Sequence, residues 1–172
     1  MTASDAAALL LDPGQEATAL AWLQRDLMPR LADRSFAVII KDAPDLVASI
    51  GADGIHLRDD TEVKKLRSKF ADLSIGVTCP PERHEAMIAA ELGADYVAFD
   101  TATAEVTTEQ LLPLIHWWGE MMTVPSVAFA ETPEAALTLA KAGADFIAVA
   151  PTIWQQPDPI SAIQGFVKAL AS

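Results

Sequence analysis

The tripeptide Gly-Ala-Asp occurs three times in this chain, and a short apolar segment follows each copy at once. The copies are Gly51–Asp53, Gly93–Asp95 and Gly143–Asp145. A glycine in a left-handed turn commonly ends a helix, and an apolar run just after it is typical of a buried parallel strand. The intervals between the copies are too irregular for a solenoid, but each has room for two strand–helix units. The repeat therefore predicts strands that enter one sheet from the same side.

Short apolar runs alternate with longer segments of helical periodicity along the whole chain. We predict strands at Ala8–Leu11, Phe36–Ile40, Gly54–Leu57, Ser74–Thr78, Tyr96–Phe99, Val124–Phe129 and Phe146–Ala150. We predict helices near residues 15–33, 43–50, 61–70, 81–92, 107–122, 132–142 and 158–171. Strict alternation of this kind favours a parallel sheet with right-handed crossover connections.

Two architectures are compatible with seven such strands in one domain. A closed (β/α) barrel of the TIM type has eight strands and about 250 residues, so this chain of 172 residues would form an incomplete one. The rival is a doubly wound open sheet, but no glycine-rich phosphate loop follows any strand. No linker or change of composition divides the sequence, so we expect a single domain over residues 1–172.

Charge and cysteine content exclude several classes of partner. The net charge of −12 disfavours nucleic acid and anionic membrane surfaces as partners. No run of 18 apolar residues occurs, and the first residues do not form a basic region before an apolar stretch. The single cysteine, Cys79, cannot form an internal disulfide and fits a reducing compartment. We therefore expect a cytoplasmic protein.

From about Ser35 onward, six segments occur in a recognisable order: Ala37–Leu46, Ile50–Leu57, Ile75–Thr78, Gly93–Phe99, Val124–Phe129 and Ala148–Ile153. Their order resembles that of the thiamine phosphate synthase family and its thiazole tautomerase relatives. The resemblance implies a phosphate-binding TIM-type (β/α) barrel that lacks one strand–helix unit. Seven strands leave an unpaired edge, which a homodimer or an N-terminal helix would cover.

The resemblance also implies an activity and a set of residues. The family joins a pyrimidine pyrophosphate to a thiazole phosphate, with magnesium and loss of pyrophosphate. Asp42 matches an aspartate that helps to hold the metal, and Asp60 lies one residue before the place of the second, where Thr61 stands. Thr78 takes the place of a serine that contacts substrate. We therefore assign Asp42 and Thr78 to catalysis, and Asp42 and Asp60 to a possible Mg²⁺ site.

Several positions depart from the family pattern, and they fall on the groups that bind phosphate. Ala130-Glu131 replaces a glycine pair, and Pro151, which has no amide hydrogen, replaces a serine. Separately, Lys41 replaces the asparagine beside the metal-binding aspartate. A strand with glutamine, arginine and lysine, and a loop lysine, have no counterpart. Our main hypothesis is a catalytically impaired paralogue that acts as a binding or assembly module for an unidentified ligand or protein. An active synthase and a metal-dependent enzyme with an acidic site are the alternatives, so whether the chain is an enzyme stays open.

Further side chains are expected where the strands end, at the carboxyl edge of the sheet. These additional candidates are Lys41, Arg58, Asp59, Cys79, Asp100, Glu131 and Trp154. Grouped carboxylates there would attract a cation. Cys79 is either a nucleophile paired with a histidine or a packed core residue. His56 is expected to fill the barrel, and Trp154 either closes over a flat ligand or plugs the emptied phosphate site.

Overall fold

Seven parallel strands form one sheet whose order follows the chain from first to last. The computed structural model describes residues 6–14 and 21–172. The strands are β1 (Ala8–Leu11), β2 (Ala37–Lys41), β3 (Gly54–Leu57), β4 (Ser74–Thr78), β5 (Tyr96–Phe99), β6 (Ser126–Ala130) and β7 (Phe146–Val149). Each pairs with the next in parallel register. The sheet curls into an incomplete TIM-type barrel, which confirms the predicted fold class.

Helices cover the outer face of this sheet. They are α1 (Val47–Ile50), α2 (Val63–Lys69), α3 (Arg83–Glu91), α4 (Thr101–Ala104), α5 (Thr108–Met121), α6 (Pro133–Ala142) and α7 (Pro159–Leu170). A π-helical turn (Leu23–Leu27) and two 3₁₀ segments (Met28–Leu31 and Pro151–Gln155) complete the secondary structure of the described residues. None of the helices in that part of the chain has the length and apolar character needed to cross a membrane.

The aspartate of each Gly-Ala-Asp copy ties the start of its own strand to the start of the preceding strand. Its carboxylate accepts a hydrogen bond from a backbone amide there. The pairs are Asp53 with Val38 (2.7 Å), Asp95 with Ile75 (2.7 Å) and Asp145 with Ser126 (2.8 Å). All three amides belong to residues with no exposed surface. We call these contacts the aspartate clamps, and they satisfy buried donors at the entrance of the sheet.

The glycine of each copy makes its clamp possible. Gly51, Gly93 and Gly143 have φ values of 63°, 103° and 109°, in the left-handed region where side chains are disfavoured. This conformation ends the preceding helix and turns the chain into the strand within three residues. Arginines stabilise two of the clamps. Arg34 pairs with Asp53 and donates to the Gly51 carbonyl. Arg67 pairs with Asp95 and donates to the Gly93 carbonyl.

Two predicted helices are shorter or more irregular than expected. The helix predicted at 43–50 begins only at Val47, after a turn in which the Leu46 amide donates to the Ala43 carbonyl (3.0 Å). The helix predicted at 15–33 is a π turn followed by a 3₁₀ segment with Pro29 in its first turn; residues 15–20 lie outside the described part of the chain. The short α4, which we did not predict, begins where Asp100 caps it and ends at Glu105, whose φ is 53°.

The aromatic residues of α5 anchor this helix to the sheet. Trp118 is fully buried, packs edge-on against Phe99 of β5, and donates its indole N–H to the Val124 carbonyl (2.7 Å). Trp117 lies under the Arg83 guanidinium, which is 4.5 Å from the ring centre. Trp118 therefore packs the helix on the barrel, and Trp117 contacts Arg83 of the neighbouring α3. The predicted homodimer stays a prediction.

The clamps predict a specific stability effect. Replacing Asp95 with alanine removes the acceptor of the buried Ile75 amide, which should lower the free energy of unfolding by about 1–3 kcal/mol. Urea denaturation followed by circular dichroism would measure this change. Asp72→Ala is the matched control, because Asp72 is an exposed aspartate close in sequence and its loss should stay within about 0.5 kcal/mol. Equal effects of the two substitutions would contradict the role assigned to the clamps.

Candidate functional site

The predicted site residues lie where the strands end, at the face that we call the barrel mouth. Lys41 and Thr78 are the last residues of β2 and β4. The other candidates stand just beyond strand ends: Asp42 after β2, Arg58, Asp59 and Asp60 after β3, Cys79 after β4, Asp100 after β5, Glu131 after β6 and Trp154 in the segment after β7. In parallel barrels, the side chains that carry chemistry are found at this face.

Four charged residues form a compensated cluster at the ends of β1, β2 and β3. Lys41 Nζ is 3.3 Å from an oxygen of Asp12. The Asp42 carboxylate accepts from both the backbone amide of Arg58 (2.9 Å) and its Nε (3.2 Å). The pKa of Asp12 is lowered by the Gly14 amide, against the effect of burial, and then by the charges of Lys41 and Arg58. The two cations are thus paired with two carboxylates in this cluster, and Asp59 and Asp60 follow β3 next to it.

Asp42 is held in an unusual backbone conformation. Its φ is 49°, which few residues other than glycine, asparagine and aspartate adopt. The backbone amide of Asp42 donates to the His56 carbonyl (2.9 Å), and its carboxylate has the two Arg58 contacts. Backbone strain of this kind is concentrated at functional sites. The conformation fixes a carboxylate beside the Arg58 guanidinium, which is 72% exposed.

His56 lies in the barrel interior, only 2% exposed, and both its ring nitrogens have partners. Nδ1 is 3.0 Å from the Tyr96 hydroxyl, and Nε2 is 2.8 Å from the Thr78 hydroxyl. Burial lowers the pKa of His56 to about 4, with a smaller contribution from the positive charge of Lys41 and an opposite one from nearby carboxylates. The imidazole is therefore neutral near pH 7, and it fills the barrel as expected.

Sequence reasoning missed Tyr96, although a signal for it was present. Its ring stacks on His56, with centroids 5.7 Å apart, and crosses the strand at Gly76. A Cβ atom added at Gly76 would lie 1.9 Å from the tyrosine ring. A glycine inside a strand often marks such a close approach, so Gly76 was the available clue.

Cys79 has the properties of a core residue. It is 4% exposed, and its thiol contacts the Val77 carbonyl at 3.7 Å. Burial raises the pKa of the thiol to about 12, with further contributions from the negative charges of Asp60 and Glu85. Since a nucleophile needs the thiolate at neutral pH, the structure supports the packing alternative for this residue.

The expected magnesium site lies among the carboxylates that follow β2 and β3. Among residues 6–14 and 21–172, no group of three or more His, Cys, Asp or Glu side chains could hold a metal ion. Asp59 accepts from the amide and hydroxyl of Thr61, and Asp42 accepts from the amide and Nε of Arg58. Magnesium is commonly bound by one or two carboxylates together with substrate phosphates. The magnesium site expected at Asp42 and Asp60 therefore stays a prediction, and it requires Asp42 to exchange its Arg58 side-chain contact.

The ends of β5 and β6 are acidic. Asp100 accepts from the Ala102 amide and so caps α4. Glu131 is exposed and lines a depression of about 340 Å³ together with Glu109, Glu134 and several threonines. No basic side chain lines this depression, so it would repel an anionic group.

The exposure of Trp154, in the segment after β7, differs from one of the two roles expected for it. Pro151 opens the 3₁₀ segment, and Trp154 follows it with 63% of its surface exposed. Because the indole ring does not fill a cavity, the expectation that Trp154 plugs an emptied phosphate site is wrong.

The buried histidine predicts a pH dependence of stability. Its pKa is about 4 in the folded protein and about 6.5 in the unfolded chain, so only the unfolded state binds the proton between these values. The free energy of unfolding should therefore fall as pH decreases from 6.5 to 4, by about 3 kcal/mol in total. Urea titrations over this range would measure it. His56→Asn should lose this dependence and the exposed His84→Asn should keep it; an unchanged slope in His56→Asn would refute the assignment.

The chain is similar to known thiamine phosphate synthases in both sequence and structure. The family described as thiamine monophosphate synthase matches residues 8–153. A thiamine-phosphate synthase of Rhodospirillum centenum is 43% identical over 152 residues, covering 84% of this chain and 73% of the relative. That of Erythrobacter litoralis is 37% identical over 159 residues, covering 87% and 74%. A solved thiamine phosphate pyrophosphorylase from Pyrococcus furiosus has a TM-score of 0.80 and 20% identity, covering 96% of this chain and 83% of its own.

These relatives correct our main functional hypothesis. We interpreted the departures from the phosphate-binding pattern as evidence for a catalytically impaired binding or assembly module. That interpretation is wrong, since curated relatives at 34–43% identity over most of the chain are named as synthases. It counted the missing family residues but not the cations Lys41 and Arg58, which this chain places at the same mouth. The match over residues 8–153, together with the similarity to these relatives, shows that the chain belongs to the thiamine monophosphate synthase family.

Proposed function

We propose that this chain is a thiamine-phosphate synthase, which joins a hydroxymethylpyrimidine pyrophosphate to a thiazole phosphate and releases pyrophosphate. The observation that carries the proposal is the 37–43% identity to two named synthases over at least 84% of the chain. The similarity spans every strand that contributes to the barrel mouth, since the family match runs from residue 8 to residue 153.

The charge pattern of the mouth suits a departing pyrophosphate. Negative charge grows on this group as its bond to the pyrimidine breaks, so fixed cations beside it lower the barrier. Lys41 and Arg58 stand at the ends of neighbouring strands, where Lys41 and His56 are paired in register. We propose that these two cations take over the role of the basic strand that the chain lacks.

Arg58 is free to change partners during binding. Its side chain is 72% exposed, and an exposed ion pair contributes little to stability, commonly below about 1 kcal/mol. The guanidinium can therefore leave Asp42 at small cost and make a charge-assisted contact with pyrophosphate oxygens. Asp42 and Asp60 would then hold Mg²⁺, which supplies further neutralisation of the pyrophosphate when it is bound.

The two halves of the mouth differ, and this difference orients the substrate. Glu131 and the neighbouring glutamates make the ends of β5 and β6 unfavourable for the pyrophosphate. Thr78, at the end of β4, is partly exposed and has a hydroxyl that can contact substrate. We therefore place the pyrophosphate at the ends of β2 to β4.

The proposed activity has a direct test. The purified chain, incubated with hydroxymethylpyrimidine pyrophosphate, thiazole phosphate and Mg²⁺, should form thiamine phosphate, which is detected by fluorescence after oxidation to the thiochrome. Asp42→Asn keeps the size of the side chain but removes its charge, so it should lower kcat by at least about tenfold. A folded wild-type protein that forms no product would refute the proposal.

A second test addresses the pyrophosphate contact. Arg58→Ala should raise KM for the pyrimidine pyrophosphate by roughly fivefold to tenfold, because one charge-assisted contact is lost. The KM for thiazole phosphate should change little, and Arg30→Ala removes the same charge from an exposed arginine outside the mouth as a control. If Arg58→Ala leaves both KM values unchanged, Arg58 does not bind the pyrophosphate.

A further inference from the structure

We propose that Tyr96 is a positioning residue which, acting through His56, makes the Thr78 hydroxyl a hydrogen-bond donor toward a substrate atom at the mouth. This inference rests on the proposed synthase function. It assigns a role to a side chain at the opposite end of the barrel from the mouth, since Tyr96 is the first residue of β5 and Thr78 the last residue of β4.

The three side chains form a continuous hydrogen-bonded column through the barrel. Tyr96 Oη is 3.0 Å from His56 Nδ1, and His56 Nε2 is 2.8 Å from Thr78 Oγ1. The missing Cβ of Gly76 lets the tyrosine ring cross β4 to reach the histidine. The Phe129 ring also lies against the imidazole, with ring centroids 6.2 Å apart and a tilt of 58°. The imidazole therefore connects a buried hydroxyl to one at the mouth.

A neutral imidazole has one N–H donor and one acceptor nitrogen, so only two arrangements of the column exist. In the first, the Tyr96 hydroxyl donates to Nδ1, and the Nε2–H donates to Thr78. In the second, the Nδ1–H donates to Tyr96, and Thr78 donates to Nε2. Burial of His56 keeps the ring neutral and excludes the doubly protonated form near pH 7.

The Tyr96 hydroxyl selects the first arrangement. Among the described residues, His56 is the sole hydrogen-bond partner of Tyr96 Oη. If Tyr96 accepted from His56, its own O–H would have no acceptor among the described residues at a partly buried position, which costs free energy. Burial also raises the pKa of the phenol well above its usual value, so the hydroxyl retains its proton and can donate it.

In the first arrangement, the Thr78 hydroxyl is a hydrogen-bond donor to a ligand. Its oxygen accepts from the Nε2–H, so its own O–H is directed to another partner. Within residues 6–14 and 21–172, the structure gives this hydroxyl no other hydrogen-bond partner. Since Thr78 is partly exposed at the mouth, the remaining acceptor is a substrate atom, for which the donor is already oriented before binding.

The tautomer of His56 can be measured without any activity. Long-range ¹H–¹⁵N correlation spectra of the labelled full chain report which ring nitrogen carries the proton, and the His56 signals are those that His56→Asn removes. We expect protonated Nε2 and unprotonated Nδ1 between pH 6 and 8. In Tyr96→Phe, the second tautomer should become populated. A protonated Nδ1 in the wild type, or a single unchanged tautomer in Tyr96→Phe, would overturn the proposal.

The effect on substrate is measured by a double-mutant cycle. Tyr96→Phe and Thr78→Val should each lower kcat/KM by about tenfold, and the double variant should lose little more, because both changes remove one donor. Thr123→Val is the control, an exposed threonine outside the mouth whose replacement should leave kcat/KM unchanged.

Losses that multiply in the double variant, or no loss in Tyr96→Phe, would overturn the proposed coupling. A folded wild type without synthase activity would defeat the proposed function, and with it the substrate step of this inference. The tautomer spectra would still decide the step from Tyr96 to His56.

Discussion

The aspartate clamps at the entrance of the sheet are the contacts on which the site depends. In each, the carboxylate of a Gly-Ala-Asp copy accepts from a buried amide of the preceding strand, at 2.7–2.8 Å. A parallel sheet has a regular hydrogen-bond ladder, so fixing two strands at their starts also fixes which residues meet at their ends. Through this register Lys41 lies beside His56, and Thr78 beside Ala98. The Gly-Ala-Asp repeat thus helps to set which residues meet at the mouth, although none of its own residues lies there.

The mouth itself is divided into two electrostatically different halves. The ends of β1 to β3 bring together Lys41, Arg58, Asp12 and Asp42, whose charges compensate one another. The ends of β5 and β6 present carboxylates around the depression beside Glu131. Thr78 lies between the two halves, and its hydroxyl is hydrogen-bonded to His56 Nε2 in the barrel interior. We propose that a pyrophosphate binds in the first half, beside the two cations and next to the Thr78 hydroxyl.

Much of the fold could be predicted from the sequence, because the buried strands are short apolar runs bounded by turn residues. All seven strands lie within two residues of the predicted bounds, whereas the helix predicted from residue 43 begins only at Val47, after a turn. The mouth residues could be named since they follow the strands directly. Contacts across the barrel were harder to predict: Gly76 indicates a close approach to β4, but nothing in the sequence identifies Tyr96 as the side chain that makes it or His56 as its partner. The functional hypothesis was wrong because it inferred a loss of activity from residue types compared position by position, whereas relatives 37–43% identical over most of the chain are named as synthases.

We propose that the pyrophosphate binds at the ends of β2 to β4. Titration of the ¹⁵N-labelled chain with inorganic pyrophosphate and Mg²⁺, followed by amide chemical shifts, tests it most directly. We expect the largest shifts at Asp42, Arg58 and Cys79, with little change at Glu131 and Thr152. Shifts centred on Glu131 and Thr152, or no shifts at millimolar pyrophosphate, would contradict the account.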